Sequence, residues 1–151
     1  MAPNVSPSAS SDASGRALHP PVMVVEDDES LRELLAHYLG REGYPVEQAA
    51  DGAAALRALE RRRALGAPPG LVLLDLMLPR VSGLDVLAHL NAAGADVPVV
   101  VMSVYDHLLS KAAAGAQGVL IKPFDLEQLL PVVARYCGAA GGDTRPAPRP
   151  A

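Results

Sequence analysis

The chain has 151 residues, half of them hydrophobic, which is the size of one domain with room for a proper core. The net charge of -4 offers no basic face for nucleic acid, and no apolar run is long enough, at about 18 residues, to span a membrane. The single cysteine, Cys137, excludes an internal disulfide and suits a reducing, cytoplasmic compartment.

Two terminal segments, 1–20 and 138–151, are rich in small residues and proline and show no hydrophobic periodicity. Such composition predicts disordered tails. The folded unit is therefore expected to span 21–137, with no second domain.

The first predicted strand, Pro21 to Val25, runs directly into four acidic residues that begin at Glu26 and Asp27. Four adjacent acids are consistent with either a solvated loop or a cation site. A helix follows, and Ser30 and Glu33 are spaced as a capping box at its start. Gly43 is expected to end it.

Tyr44 to Ala50 predicts a short second strand near an edge of the sheet, because Pro45 cannot donate a hydrogen bond. Asp51 is placed to cap a second helix over 53–65. The third strand begins at Leu71, and its four apolar residues indicate burial on both faces. It ends near Met77 and leaves Asp75 at its carboxyl end.

The second half of the chain repeats this alternation. A third helix is predicted over 84–93, and a fourth strand over 97–102 ends at Ser103. A short helix over 106–114 leads to a fifth strand over 118–121, which ends at Lys122. The last helix begins with the capping pair Asp125 and Gln128. Pro131 falls inside that helix and is expected to kink it or to delay its regular start.

Five strands that alternate with five helices predict an α/β fold, a doubly wound parallel sheet with helices on both faces. The common strand order at this length is the flavodoxin-like 2-1-3-4-5, in which ligands bind beyond the carboxyl ends of the strands. The residues expected at those ends are Glu26, Asp27, Asp75, Ser103 and Lys122. Three converging carboxylates point to magnesium, and the added lysine and hydroxyl suit phosphoryl transfer onto an aspartate.

Four motifs together resemble the receiver domain of bacterial two-component response regulators, over about 21–137. They are Val24-Val25-Glu26-Asp27-Asp28, Leu73-Leu74-Asp75-Leu76-Met77-Leu78-Pro79, Val101-Met102-Ser103 and Ile121-Lys122-Pro123-Phe124. Each alone is weak, but all four in this order and spacing are specific.

The resemblance implies a role for each site residue. Asp75 would be the phosphoacceptor, with Ser103 and Lys122 contacting the phosphoryl group. Asp27 would bind Mg2+ directly, Glu26 through water, and Met77 through its carbonyl oxygen, while Asp28 would be a bystander. The Lys122-Pro123 peptide bond would be cis.

The switch region departs from the family. The position usually held by Tyr or Phe is Val119, and the interval between Ser103 and Lys122 is short, which predicts a clipped loop or helix after the fourth strand. The aromatic Tyr105 is a candidate to move in place of the missing ring.

The sequence therefore predicts a stand-alone, cytoplasmic response regulator that is not an enzyme in its own right. Its partners would be a sensor histidine kinase or phosphotransfer protein and a downstream protein target, with no direct contact to nucleic acid or membrane. One alternative is a degenerate receiver that serves as a phosphorylation-independent binding module. An aspartyl phosphohydrolase is the enzyme alternative, but it needs a second acid at the position of Met77.

Overall fold

A computed structural model describes residues 19–94, 96–112 and 115–139. Most of both predicted tails, 1–18 and 140–151, lies outside the described residues. The elements in chain order are β1 (Val22–Val25), α1 (Glu29–Arg41), β2 (Val46–Ala49), α2 (Gly52–Ala64), β3 (Leu71–Asp75), α3 (Gly83–Ala92), β4 (Val99–Ser103), α4 (Asp106–Ala112), β5 (Gly118–Ile121) and α5 (Leu126–Cys137).

The five strands form one parallel sheet in the order β2-β1-β3-β4-β5. This confirms the predicted fold. Val25, the last residue of β1, is in register with Ala49 of β2 and with Leu74 of β3. The carboxyl ends of β1 and β3 therefore lie side by side at the centre of the sheet.

Alternate side chains of the central strands pack on opposite faces, as the period of a strand requires. Met23 and Leu74 pack with α2 and α3 on one face, whereas Val24 and Leu73 pack with α1 and α5 on the other. Every residue of β1 and β3 is buried. The position of the strand ends is thus fixed by packing from both sides.

The cap of α1 differs from the prediction. Asp28, and not Ser30, is the N-cap, and its carboxylate accepts a hydrogen bond of 3.2 Å from the backbone N–H of Leu31. Ser30 already lies inside the first turn. The predicted cap of α2 is confirmed, since Asp51 accepts a 2.7 Å bond from the N–H of Ala54.

The third strand is shorter than predicted and ends at Asp75 itself. The chain then turns back on itself, and the N–H of Gly83 donates to the carbonyl of Leu76 over 3.2 Å. A Cβ atom at Gly83 would lie 2.2 Å from the carbonyl oxygen of Asp75. Glycine is therefore needed at this position to let α3 begin directly under the end of β3.

The last helix runs from Leu126 without a delayed start, although Pro131 lies inside it. Half of the predicted capping box is seen, since Oε1 of Gln128 accepts a 2.8 Å bond from the N–H of Asp125, whereas the N–H of Gln128 donates to the Asp125 carbonyl and not to its side chain. Proline has no N–H, so the carbonyl of Glu127 loses its helical partner. Glu127 is exposed, which lets water replace that bond.

Two residues that the sequence assigned to the tails contact the folded unit. The hydroxyl of Tyr44 donates to the carbonyl of Gly138 over 2.5 Å, and the ring of His19 lies 4.5 Å from the Tyr44 ring. Among the described residues, no helix combines the length and the hydrophobicity that crossing a bilayer requires.

Candidate functional site

Three carboxylates meet at the adjoining ends of β1 and β3. Glu26 and Asp75 are only 1% and 3% exposed, whereas Asp27 is open to solvent. One oxygen from each of the three lies within 4.8 Å of the others. The residues that the sequence predicted to converge are thus brought together, and their like charges require compensation.

Lys122 supplies part of that compensation from the end of β5. Its Nζ lies 2.8 Å from Oε1 of Glu26 and 3.4 Å from Oδ2 of Asp75. The peptide bond between Lys122 and Pro123 is cis, as expected. One ammonium group therefore bridges the acids of both central strands.

The pKa values of Glu26 and Lys122 are shifted both by burial and by neighbouring charges. Burial raises the pKa of Glu26, and the neighbouring Asp75 adds to the rise, while the hydrogen bond from Lys122 opposes it. Burial alone would lower the pKa of Lys122, but its interactions with Glu26 and Asp75 outweigh burial and raise that pKa above its ordinary value. Lys122 therefore remains protonated beside the two carboxylates.

Backbone groups fix the orientation of the reactive side chains. The N–H of Met77 donates to Oδ1 of Asp75 over 3.0 Å, and the N–H of Asp28 donates to Oε2 of Glu26 over 3.2 Å. Each carboxylate is thus held by the turn that follows its strand. Oδ2 of Asp75 is the oxygen that faces Lys122.

Ser103 ends β4, the neighbour of β3, and is buried. Its Oγ accepts a 3.0 Å bond from the N–H of Tyr105, and its carbonyl accepts a 2.9 Å bond from the N–H of Lys122. Ser103 is thus hydrogen-bonded both to the loop that follows β4 and to the backbone of Lys122, which links the ends of β4 and β5.

The remaining predicted site residues lie at the periphery. The side chains of Met77, Tyr105 and Val119 are all about half exposed. Only two residues, Val104 and Tyr105, separate β4 from α4, which the structure describes over Asp106–Ala112. The Tyr105 ring lies 5.8 Å from that of His107.

Arg32, to which none of the sequence motifs points, lies at the edge of the site. From α1 its Nη1 donates to the carbonyl of Glu26 over 3.0 Å, and its Nε donates to Oε1 of Gln48 over 3.3 Å. A signal exists in the sequence, because a cation one turn after the N-cap Asp28 can reach back over the strand end. Only the packing of α1 on β1 and β2 shows that it does.

The chain matches the response regulator receiver domain family over residues 22–134. It is 41% identical over 112 residues to response regulator MprA of Mycobacterium sp. (strain KMS), an alignment that covers 72% of this chain and 46% of that protein. MprA of Mycobacterium leprae is 40% identical over the same length. The chain thus spans about half the length of the curated relatives it matches.

Solved structures agree with this assignment. The signal receiver domain of a putative Luxo repressor protein from Vibrio parahaemolyticus superposes with a TM-score of 0.70 at 32% identity, covering 79% of this chain and 90% of that one. The response regulator TrrA of Thermotoga maritima, in complex with Mg2+-BeF, gives a TM-score of 0.66 at 28% identity and covers 77% and 97%. The strand order, the convergent acids and the match over residues 22–134 lead to one conclusion: the chain belongs to the response regulator receiver domain family.

Proposed function

We propose that the unit 21–137 is a receiver that accepts a phosphoryl group on Asp75 from a sensor histidine kinase or phosphotransfer protein, with Mg2+. The observation that carries this proposal is the placement of Asp75. Its buried carboxylate lies 3.4 Å from the Lys122 ammonium and within 4.8 Å of the oxygens of Glu26 and Asp27. A nucleophile, a cation for the incoming charge and a cluster of oxygen ligands are thus in one place.

The donor set fits magnesium. Hard cations prefer oxygen ligands, and one oxygen from each of the three carboxylates lies within 4.8 Å of the others, so that a single ion would be near all three. Asp27 would bind the ion directly, with Glu26 acting through water and Asp75 and the carbonyl of Met77 completing the site. The bound ion would neutralise charge on the carboxylates and on the transferred group. The Mg2+-BeF complex of the related TrrA supports this assignment.

The transfer step follows from these positions. A carboxylate oxygen of Asp75 attacks the phosphorus of a phosphohistidine in line, a P–O bond forms, and the P–N bond breaks with its electron pair leaving on the donor imidazole. Lys122 pairs with the charge of the arriving phosphoryl oxygens. The hydroxyl of Ser103 donates to one of them, so the end of β4 responds to the product.

Incubation with acetyl phosphate and Mg2+ tests the assignment, with intact mass as the readout. We expect a gain of one phosphoryl group in the wild type and none in Asp75→Asn. Asp28→Asn is the matched control, because asparagine caps α1 as well as aspartate does and the changed residue adjoins the site. Equal labelling of Asp75→Asn and the wild type would refute the proposal.

We propose further that the signal leaves by protein contact in a stand-alone, cytoplasmic mode of action, without direct binding to nucleic acid or membrane. Large apolar side chains at the β4–β5 side of the sheet are exposed, namely Val104, Tyr105, Val119 and Ile121. Exposed apolar groups that adjoin one another favour a protein partner over an anionic polymer. The net charge of -4 agrees, because nucleic acid is bound by basic surfaces.

A further inference from the structure

Arg32 ties the start of α1 to the end of β1. Its guanidinium donates through Nη1 to the backbone carbonyl of Glu26 and through Nε to the side chain of Gln48 on β2. One planar group therefore links two strands and a helix at the edge of the acidic cluster. A guanidinium can hold two acceptors in a fixed relative direction, whereas an ammonium acts as a point charge.

The carbonyl that Arg32 holds belongs to the peptide between Glu26 and Asp27. The preceding N–H of Glu26 is bound to the carbonyl of Ala49 over 3.1 Å, so the backbone of Glu26 is fixed on both sides. That peptide plane fixes the positions of the N and Cα atoms of Asp27, and together with the φ torsion of Asp27 it sets the direction of the Cα–Cβ bond.

Asp27 depends on this backbone more than the other two acids do. Glu26 and Asp75 are buried, and their carboxylates accept bonds from the N–H groups of Asp28 and Met77. Asp27 is exposed, and within the described part of the chain no hydrogen bond reaches its carboxylate. Its placement must come from its own backbone.

Charge and position give opposite expectations for Arg32. As a cation near three acids, it would weaken the attraction of the site for Mg2+, and its removal would tighten binding. As a support for the peptide that carries Asp27, it would strengthen binding, and its removal would weaken it. The two roles can therefore be separated by the sign of the effect and by a variant that keeps the charge.

We propose that Arg32 is a positioning residue for the metal site: it fixes the peptide between Glu26 and Asp27 so that Asp27 faces the cation. This inference rests on the proposed magnesium-dependent function. It adds a residue on α1 and its partner Gln48 to the support of that site.

Mg2+ affinity of the whole chain, measured by titration calorimetry without any phosphodonor, tests this role. We expect Arg32→Lys and Arg32→Met each to weaken the apparent Kd about tenfold, the size of effect seen when a group that orients a metal ligand is lost. Gln48→Met should weaken it by a smaller factor, because the bond from Nη1 to Glu26 remains. Arg41→Lys and Arg41→Met, at the exposed far end of the same helix, should leave it unchanged.

Labelling by acetyl phosphate gives a second readout. In the Arg32 variants the Mg2+ concentration for half-maximal rate should rise about tenfold, while the rate at saturating Mg2+ stays within about twofold of the wild type. Lower melting temperatures with unchanged Mg2+ affinity would show a merely structural role and overturn the proposal. An unchanged Kd in Arg32→Lys with a tighter one in Arg32→Met would show that Arg32 acts only through its charge, and it would also overturn the proposal. Absence of Mg2+ binding in the wild type would instead refute the metal site itself.

Discussion

The strands at the centre of the sheet and strand β5 at its edge differ in how deeply their side chains are buried. Every residue of β1 and β3 is buried, and the two strands carry Glu26, Asp27 and Asp75 at their ends. In β5, by contrast, Val119 and Ile121 are 44% and 57% exposed. The proposed phosphoacceptor and metal ligands therefore lie at the ends of fully buried strands, whereas Val119 of the predicted switch lies on a strand with exposed side chains.

This difference has a physical reason. A phosphoacceptor needs its partners held within a few tenths of an ångström, which packing on both faces of a strand provides. A switch needs two arrangements of similar free energy, which a half-exposed edge strand allows. Lys122 joins the two regions, because it ends β5 but pairs with acids of β1 and β3.

The largest effect should come from a cavity at the centre. Leu73→Ala removes a fully buried side chain of β3 and should lower the free energy of unfolding by about 3 kcal/mol. The matched change at the edge, Ile121→Ala, should cost less than about 1 kcal/mol because that side chain is mostly in water already. Urea unfolding measures both, and equal losses would contradict the contrast between the two regions.

A smaller loss of stability should follow from removing the Lys122 ammonium, which links the end of β5 to the acids of β1 and β3. Lys122→Met leaves Glu26 and Asp75 without their ammonium and should lower the free energy of unfolding by about 2 kcal/mol in the absence of Mg2+. Added Mg2+ should restore much of that loss by binding the folded state. The exposed Lys111 provides the control, since Lys111→Met should change little. Thermal melts with and without Mg2+ follow the effect, and a loss that Mg2+ leaves untouched would count against the metal site.

The smallest effect concerns the switch. With beryllofluoride as a phosphoryl mimic, amide exchange should change only in β4, α4 and β5, because Val119 supplies no ring to swing inward behind Ser103. The phosphorylated protein should also decay slowly, since neither Met77 nor Tyr105 carries a carboxamide or carboxylate that could position water for hydrolysis. Loss of the label within seconds, or exchange changes that extend through β1 and β3, would show that the two regions are not separate.

Much of this arrangement was predictable from the sequence because local patterns and topology agree. Apolar runs that end in Glu26, Asp75, Ser103 and Lys122 predicted buried strands, and the alternation with helices predicted the parallel order. Once that order is known, the carboxyl ends of β1 and β3 must adjoin. The convergence of the acids thus followed from topology, without knowledge of any side-chain contact.

Helix and strand ends were less predictable. Both Asp28 and Ser30 can cap a helix, and the spacing of Ser30 and Glu33 favoured the wrong one. The position at which α1 packs on the sheet decided for Asp28. Likewise β3 stops at Asp75 because Gly83 brings α3 within reach of the Asp75 carbonyl, a close approach between residues that are eight positions apart.

The sequence by itself determined the strand order and the residues at the strand ends, because these depend on hydrophobic period and on the few topologies that parallel strands allow. The family was indicated separately, by the resemblance of its four motifs to those of receiver domains. Only the tertiary structure decided which groups hold those residues. The contact of Lys122 with two acids and the reach of Arg32 from α1 to the Glu26 carbonyl join residues distant in sequence or on different elements. Such contacts depend on where the packed elements meet, and a local sequence pattern does not specify how far apart two elements lie in the folded protein.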